Sequence, residues 1–99
     1  MIIKDGVQLS GLNILMRVVL KEADRIWKNN GHELVITCGL DGTHSAGSYH
    51  YYGLALDLRN KFFTDKEKET VHKELQEVLG RSYVVVTERT HIHVQHWYK

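Results

Sequence analysis

The middle of the chain contains the stretch Leu54-Ala55-Leu56-Asp57-Leu58-Arg59, in which leucines alternate with small or charged residues. An alternation with a period of two predicts a half-buried β-strand, because successive side chains of a strand point to opposite faces of its sheet. A second stretch near the end of the chain, residues 91–95, alternates in the same way. We therefore expect two strands that bury their apolar sides and leave their polar sides on a shared second face.

Two helices are predicted around the first of these strands. Apolar side chains recur at steps of three and four over residues 10–29, and Ser10 is the expected N-cap of that helix. Thr64 and Glu67 have the spacing of a capping box, which predicts a second helix that ends at Gly80. Each helix has one apolar face, as expected for a helix that packs on a sheet.

Two further stretches, residues 33–37 and 82–87, predict strands because they are rich in β-branched and apolar residues. A short polar turn at residues 88–90 is expected to join the last two strands into a hairpin. The sequence thus predicts one α+β domain over residues 1–99. Its architecture would be a small, mostly antiparallel sheet with two helices packed on one face.

The composition excludes several classes of protein. A net charge of +1 is too small for a chain that binds nucleic acid through its phosphates, so we expect no nucleic-acid partner. No apolar run approaches the ~18 residues that a membrane span needs, and we expect no membrane partner. Residues 1–6 lack the pattern of a secretory signal, which predicts synthesis in the cytoplasm. A single cysteine excludes an internal disulfide.

Histidine is abundant, with seven in 99 residues, and most of the histidines fall in two short segments. The histidines of these segments are His44, His50, His91, His93 and His96. His91 and His93 alternate with apolar residues, so we expect them on the polar face of the last strand together with Asp57. The small side chain of Ala55 leaves room above that face. Neutral imidazoles beside an ionised carboxylate are typical ligands of Zn²⁺.

His50 is the third candidate ligand. It precedes Asp57 by seven residues, which is not a helical spacing, and Gly53 permits the bend that would bring the two together. A catalytic zinc ion keeps three protein ligands and one open position for water. His50, Asp57 and either histidine of the last strand supply that number. The bound water would become a nucleophile, with Glu88 or the histidine that does not bind the metal as its general base.

The residues around His50 also resemble a known signature, Ser-x-His-x-x-Gly-x-Ala-x-Asp, of the D-alanyl-D-alanine carboxypeptidase family. The matching segment is Ser48-Tyr49-His50-Tyr51-Tyr52-Gly53-Leu54-Ala55-Leu56-Asp57. His91-Ile92-His93 is similar to the closing His-x-His of the same group. The wider group joins lysostaphin-type peptidases, D-Ala-D-Ala metallopeptidases and the Sonic hedgehog signalling domain. The resemblance extends from about residue 35 to residue 95, which is over half of the chain.

The resemblance implies a zinc peptidase that hydrolyses peptidoglycan stem peptides, as a D,D-carboxypeptidase or an L-alanyl-D-glutamate-type endopeptidase. It implies that His50, Asp57 and His93 bind one zinc ion. It also implies that His91 is catalytic, that Glu88 is a candidate general base and that Ser48 holds substrate. The spacing of Glu88 and His91 also matches a Glu-x-x-His pattern in which His91 would be the ligand, and His93 is the preferred assignment.

The chain departs from this family before the signature, where relatives often carry Ser-Gly-Tyr-Arg with an arginine that grips substrate. This chain has Cys38-Gly39-Leu40-Asp41 there, so Arg59 or His44 is expected to take part of that role. The resemblance implies an open groove and a monomer that acts on the cell wall after release. The alternative is a metal-containing binding module without hydrolase activity, as in the hedgehog branch, because a fold does not determine function.

Overall fold

A computed structural model of the protein describes residues 1–40 and 53–96. In this part the chain forms five strands, two α-helices and one 3₁₀ turn. In chain order the elements are β1 (Ile2–Ile3), the 3₁₀ turn (Ile14–Met16), α1 (Arg17–Asn29), β2 (Val35–Cys38), β3 (Ala55–Arg59), α2 (Asp65–Leu79), β4 (Tyr83–Thr87) and β5 (His91–His96).

The five strands form one sheet in the order β1-β2-β3-β5-β4. β1 runs parallel to β2, and every other neighbouring pair is antiparallel. The predicted α+β class with a mostly antiparallel sheet is therefore confirmed, including the hairpin of β4 and β5. The sequence analysis missed β1, because a strand of two residues at the sheet edge is too short to show an alternation.

Both helices cover the same face of the sheet and share one hydrophobic core with it. The strands bury alternate apolar residues, and the helices bury residues at steps of three and four. The fully buried side chains include Val19, Ala23, Ile26, Trp27, Ile36, Leu56, Leu58, Val71, Leu75, Ile92 and Val94. Burying each of the larger ones stabilises the fold by about 1.5–3 kcal/mol. The opposite face of the sheet, here called the open face, carries the polar side chains of the same strands.

The first helix begins later than predicted. Ser10 is not its N-cap, because Gly11 follows with a φ of 87°, which is incompatible with a helical turn. Asn13 instead caps the 3₁₀ turn that leads into α1, since its side chain accepts a hydrogen bond from the Leu15 amide at 3.0 Å, and α1 itself follows Met16 without a side-chain cap. The Asn13 amide donates at 2.9 Å to the carbonyl of Gly53, so this segment is bonded to the chain two residues before β3. A contact between distant residues thus sets the start of the helix.

The second helix begins where the sequence predicts. The Thr64 hydroxyl accepts a hydrogen bond from the Glu67 amide at 3.1 Å, and the Glu67 carboxylate accepts one from the Thr64 amide at 2.8 Å. This reciprocal pair is a capping box. The hydrogen bond from the Thr64 backbone holds the pKa of Glu67 below its usual value, with a smaller contribution from His32. The helix ends at Leu79, before Gly80.

None of the helices in the described ranges is both long and apolar enough to cross a lipid bilayer.

Thr64→Ala should lower the free energy of unfolding by about 1 kcal/mol, because one helical amide loses its acceptor. The matched control is Thr70→Ala in the same helix, whose hydroxyl only donates to the Lys66 carbonyl at 3.0 Å. That change should be close to neutral, since alanine has the higher helix propensity. Urea denaturation of both variants measures the difference. Equal losses of stability would contradict the capping role of Thr64.

Candidate metal centre on the open face

The pairing of β3 with β5 brings candidate site residues together on the open face. In the register of the two strands Asp57 lies opposite His93, and Arg59 lies opposite His91. Directly opposed residues of an antiparallel pair share a face and lie within about 5.5 Å at Cβ. Asp57, His91 and His93 therefore form one group, and Glu88 joins them from the turn before β5.

The distances within this group are short. His93 Nδ1 lies 3.0 Å from Asp57 Oδ1, and His91 Nε2 lies 3.9 Å from the same oxygen. His91 Nε2 also lies 3.5 Å from Glu88 Oε1. The side chains of Asp57 and His93 are 14% and 19% exposed, whereas Glu88 is 50% exposed. The side chains of Asp57 and His93 are thus the more buried part of the group, and Glu88 lies at its solvent-exposed edge, here called the rim.

The environment of His93 fixes the orientation of its ring. The hydrogen bond with Asp57 raises the pKa of His93, burial lowers it, and a contact with Gln95 raises it again. Gln95 Oε1 lies 2.8 Å from His93 Nε2, on the side of the ring away from Asp57. Asp57 and Gln95 each present an oxygen acceptor, so the protonated ring donates from Nδ1 to Asp57 and from Nε2 to Gln95. A metal ion in place of the Nδ1 proton would leave the hydrogen bond from Nε2 to Gln95 intact. The alternation of residues 91–95 is consistent with Gln95 on this face, but no pattern in the sequence indicates its contact with His93.

The donor atoms of Asp57 and His93 fit a zinc ion. Two atoms bound to one tetrahedral zinc at ~2.0–2.1 Å are about 3.3 Å apart. The observed 3.0 Å between His93 Nδ1 and Asp57 Oδ1 is close to that separation. Ligating histidines usually donate their other N–H to a polar acceptor, and Gln95 is such an acceptor.

Within residues 1–40 and 53–96, no three His, Cys, Asp or Glu side chains are arranged to hold a metal ion. Of the three predicted ligands, the described part of the chain contains Asp57 and His93, which lie side by side. The predicted third ligand, His50, lies outside the described residues, as do the predicted substrate-binding residues His44 and Ser48.

Asn60 ties the rim of the group to the end of β3. It is 1% exposed, and its side-chain amide donates to the Glu88 carbonyl at 3.1 Å. Its backbone amide donates to the Thr90 carbonyl at 3.1 Å, and the Glu88 amide donates to the His91 carbonyl at 2.8 Å. These bonds fix the backbone of the turn that carries Glu88. The sequence contains no signal for this contact, because it joins two elements 28 residues apart.

On its other side, β3 meets an irregular stretch of β2. Ile36 lies opposite Leu58, and Cys38 lies opposite Asp57. Between these two pairings β2 advances by two residues while β3 advances by one, so β2 contains one extra residue. The residue between them, Thr37, directs its hydroxyl to the Asp57 carbonyl at 3.3 Å. β-Bulges of this kind are frequent beside active sites, where they adjust the direction of a strand. The backbone of Asp57 is therefore held from both neighbouring strands.

Gly53 controls how the chain enters β3. Its φ is 67°, a conformation that side chains rarely adopt, as expected from the predicted bend. A Cβ atom at this position would lie 2.5 Å from the Gly11 carbonyl oxygen and 3.0 Å from the Asn13 nitrogen. Only glycine fits here, because the segment before α1 crosses directly over the start of the strand.

Comparison of the chain with protein-family models and with curated proteins found no match. The resemblance to the D-alanyl-D-alanine carboxypeptidase family therefore rests on residues 48–57 and on the last strand. Any function must be inferred from these motifs together with the geometry of the open face.

Gly53→Ala should lower the free energy of unfolding by about 3 kcal/mol, because the added methyl group meets backbone atoms that cannot move independently. Gly31→Ala is the matched control: its φ is 81°, but a Cβ there would meet nothing within 4 Å. That variant should lose only the ~1–2 kcal/mol of the left-handed conformation. Chemical denaturation of both variants measures the difference, and a Gly53→Ala variant as stable as Gly31→Ala would contradict the close approach.

Proposed function

We propose that this chain is a zinc-dependent peptidase that hydrolyses peptide bonds of peptidoglycan stem peptides. The observation that carries the proposal is the arrangement on the open face, where a carboxylate and an imidazole with suitable donor spacing lie beside a second imidazole and a second carboxylate. The motif of residues 48–57 supports the same reaction and substrate class. Since its substrate lies in the cell wall, the enzyme would act there after release, as a monomer.

The distances favour one assignment of the two histidines of β5. His93 is the better metal ligand, because its Nδ1 is 3.0 Å from Asp57 Oδ1 while His91 Nε2 is 3.9 Å away. Asp57, His93 and His50 would hold the zinc ion, which when bound would supply an acidified water and a polarised substrate carbonyl. His91 remains available for catalysis beside this site.

Glu88 is the better candidate for the general base. Its carboxylate is half exposed at the rim, so it can reach a water molecule and then a leaving amine. His91 Nε2 faces carboxylate oxygens of both Glu88 and Asp57, which places the ring proton on that nitrogen. A ring in this tautomer is a hydrogen-bond donor. His91 would therefore stabilise the oxyanion that forms when the carbonyl is attacked.

Zinc binding tests the ligand assignment directly. Asp57→Ala and His93→Ala should each weaken zinc binding by more than ~100-fold, whereas Gln95→Ala should weaken it by about 10–100-fold because only the ring orientation is lost. His72→Ala is the control, since His72 lies on α2 and contacts Thr87 instead. Isothermal titration with zinc and elemental analysis measure affinity and stoichiometry. Stoichiometric zinc in His93→Ala would refute the assignment.

Hydrolysis tests the reaction itself. A chelator should abolish cleavage of purified muropeptides, and added zinc should restore it. Glu88→Gln should keep its zinc but lose about 10²–10⁴-fold in kcat/KM, because the carboxylate that moves the proton is gone. Mass spectrometry of the digests identifies the bond that is cut, with His72→Ala as the active control. Bound zinc without any cleavage would favour a binding module instead of an enzyme.

A further inference from the structure

The turn between β4 and β5, which carries Glu88, is held by hydrogen-bond donors that lie outside it. The Glu88 carbonyl accepts a hydrogen bond from the side-chain amide of Asn60 at 3.1 Å, and the Thr90 carbonyl accepts one from the Asn60 backbone amide at 3.1 Å. Between them, the Arg89 carbonyl accepts a hydrogen bond from Lys68 Nζ at 3.0 Å. All three carbonyls of the turn are therefore bonded to β3–α2 residues.

The side chain of Asn60 is unusual in the core. Among the described residues, it is the only buried residue with a polar or charged side chain, and its Oδ1 accepts no hydrogen bond from them. The Glu88 carbonyl can only accept a hydrogen bond, so the amide presents Nδ2 to it. A buried acceptor without a donor costs free energy that an apolar side chain of the same shape would avoid. Stability alone therefore does not favour asparagine here, whereas the contact with the Glu88 carbonyl requires a donor.

The backbone on both sides of Asn60 is fixed by buried aromatic residues. The indole N–H of Trp27 donates to the Arg59 carbonyl at 3.0 Å, and the Phe63 amide donates to the Asn60 carbonyl at 2.9 Å. The rings of Trp27 and Phe63 lie 5.4 Å apart in the core. The position of Asn60, and through it that of the turn, is thus set by the packing of the core.

Glu88 depends on such support more than the other residues of the candidate site do. The strand pairing fixes Asp57 and His93, and their side chains are largely buried. Glu88 lies on a turn, its side chain is 50% exposed, and its Oε1 is 3.5 Å from His91 Nε2. A general base has to lie within about 3 Å of the group whose proton it takes, and a misplacement of about 1 Å can cost about 100-fold in rate. A fixed backbone limits the positions that this carboxylate can reach.

We propose that Asn60 and Lys68 are positioning residues that hold Glu88 where it can act as the general base. The proposal rests on the proposed function. Asn60 makes the principal contact, because its hydrogen bonds are shielded from water, and the half-buried Lys68 adds a bond from α2. Neither side chain contacts Asp57 or His93. The two residues should therefore affect the chemical step and leave zinc binding and substrate binding unchanged.

The kinetic test removes each donor while it keeps the shape of the side chain. Asn60→Leu should lower kcat for hydrolysis of purified muropeptides by at least about tenfold, with KM and zinc affinity within about twofold of the unaltered enzyme. Lys68→Met should lower kcat by about threefold, and Lys68→Arg should restore it because a guanidinium can also donate. Lys73→Met, which removes an exposed lysine of the same helix, is the control and should be fully active. Equal losses in Lys68→Met and Lys68→Arg, or a raised KM with unchanged kcat, would contradict the proposal.

A double variant tests whether Asn60 acts through Glu88. In a Glu88→Gln enzyme the carboxylate that Asn60 positions is already gone. Adding Asn60→Leu should then lower the remaining kcat by less than about twofold. If the two losses multiply instead, Asn60 acts independently of Glu88 and the proposal is wrong.

Hydrogen exchange separates this inference from the proposed hydrolysis. The Glu88 amide donates to the His91 carbonyl at 2.8 Å and so closes the turn. Exchange of this amide, followed by NMR in the full chain, should be at least about tenfold faster in Asn60→Leu and measurably faster in Lys68→Met, with exchange in α2 unchanged. If the unaltered chain cuts no muropeptide, the proposed function fails, yet faster exchange would still support the hold on Glu88. Unchanged exchange would overturn it whatever the activity. Thermal unfolding verifies that each variant is folded, and the Lys68 variants decide the question if Asn60→Leu is not.

Discussion

The pairing of β3 with β5 is the constraint on which the rest of the molecule depends. On one side of this pair Leu56 faces Val94 and Leu58 faces Ile92, and all four are fully buried. On the other side Asp57 faces His93. Because side chains alternate along a strand, a slip of one residue would bury the polar groups and expose the leucines. Burial of the apolar side chains therefore fixes the register, and the register places the polar groups next to one another.

Much of the fold could be predicted because its signals are local. The period of two in β3 and β5 and the capping box of α2 depend only on residues close in sequence. The missed features depend on distant partners. β1 exists because two residues pair with β2, and α1 starts late because Asn13 is bonded to Gly53 rather than continuing a helix from Ser10. No window of the sequence contains both members of these contacts.

The candidate site shows the same division between local and distant information. Alternation alone places His91 and His93 on one face, but it treats them alike, so it does not show which of them is the better candidate for a metal ligand. The register favours His93, because it sets His93 opposite Asp57 and leaves His91 opposite Arg59. The supporting contacts of Gln95 and Asn60 depend on that register and on the conformation of the β4–β5 turn. The sequence could therefore identify the residues of the candidate site, but not the position of each residue relative to Asp57.

The charges of the open face are separated along the strands, and this separation has a chemical consequence. Asp57 and Glu88 both lie within 4 Å of His91, and Lys4, Arg59 and Lys61 line a cavity that His91 also lines. An anionic group that approaches the open face would be attracted toward the cations of this cavity and repelled by Asp57 and Glu88. A molecule that is bound in one orientation loses less entropy on the way to the transition state, so its binding energy can lower the barrier to reaction. The same strands that build the core therefore also set the positions of these charges.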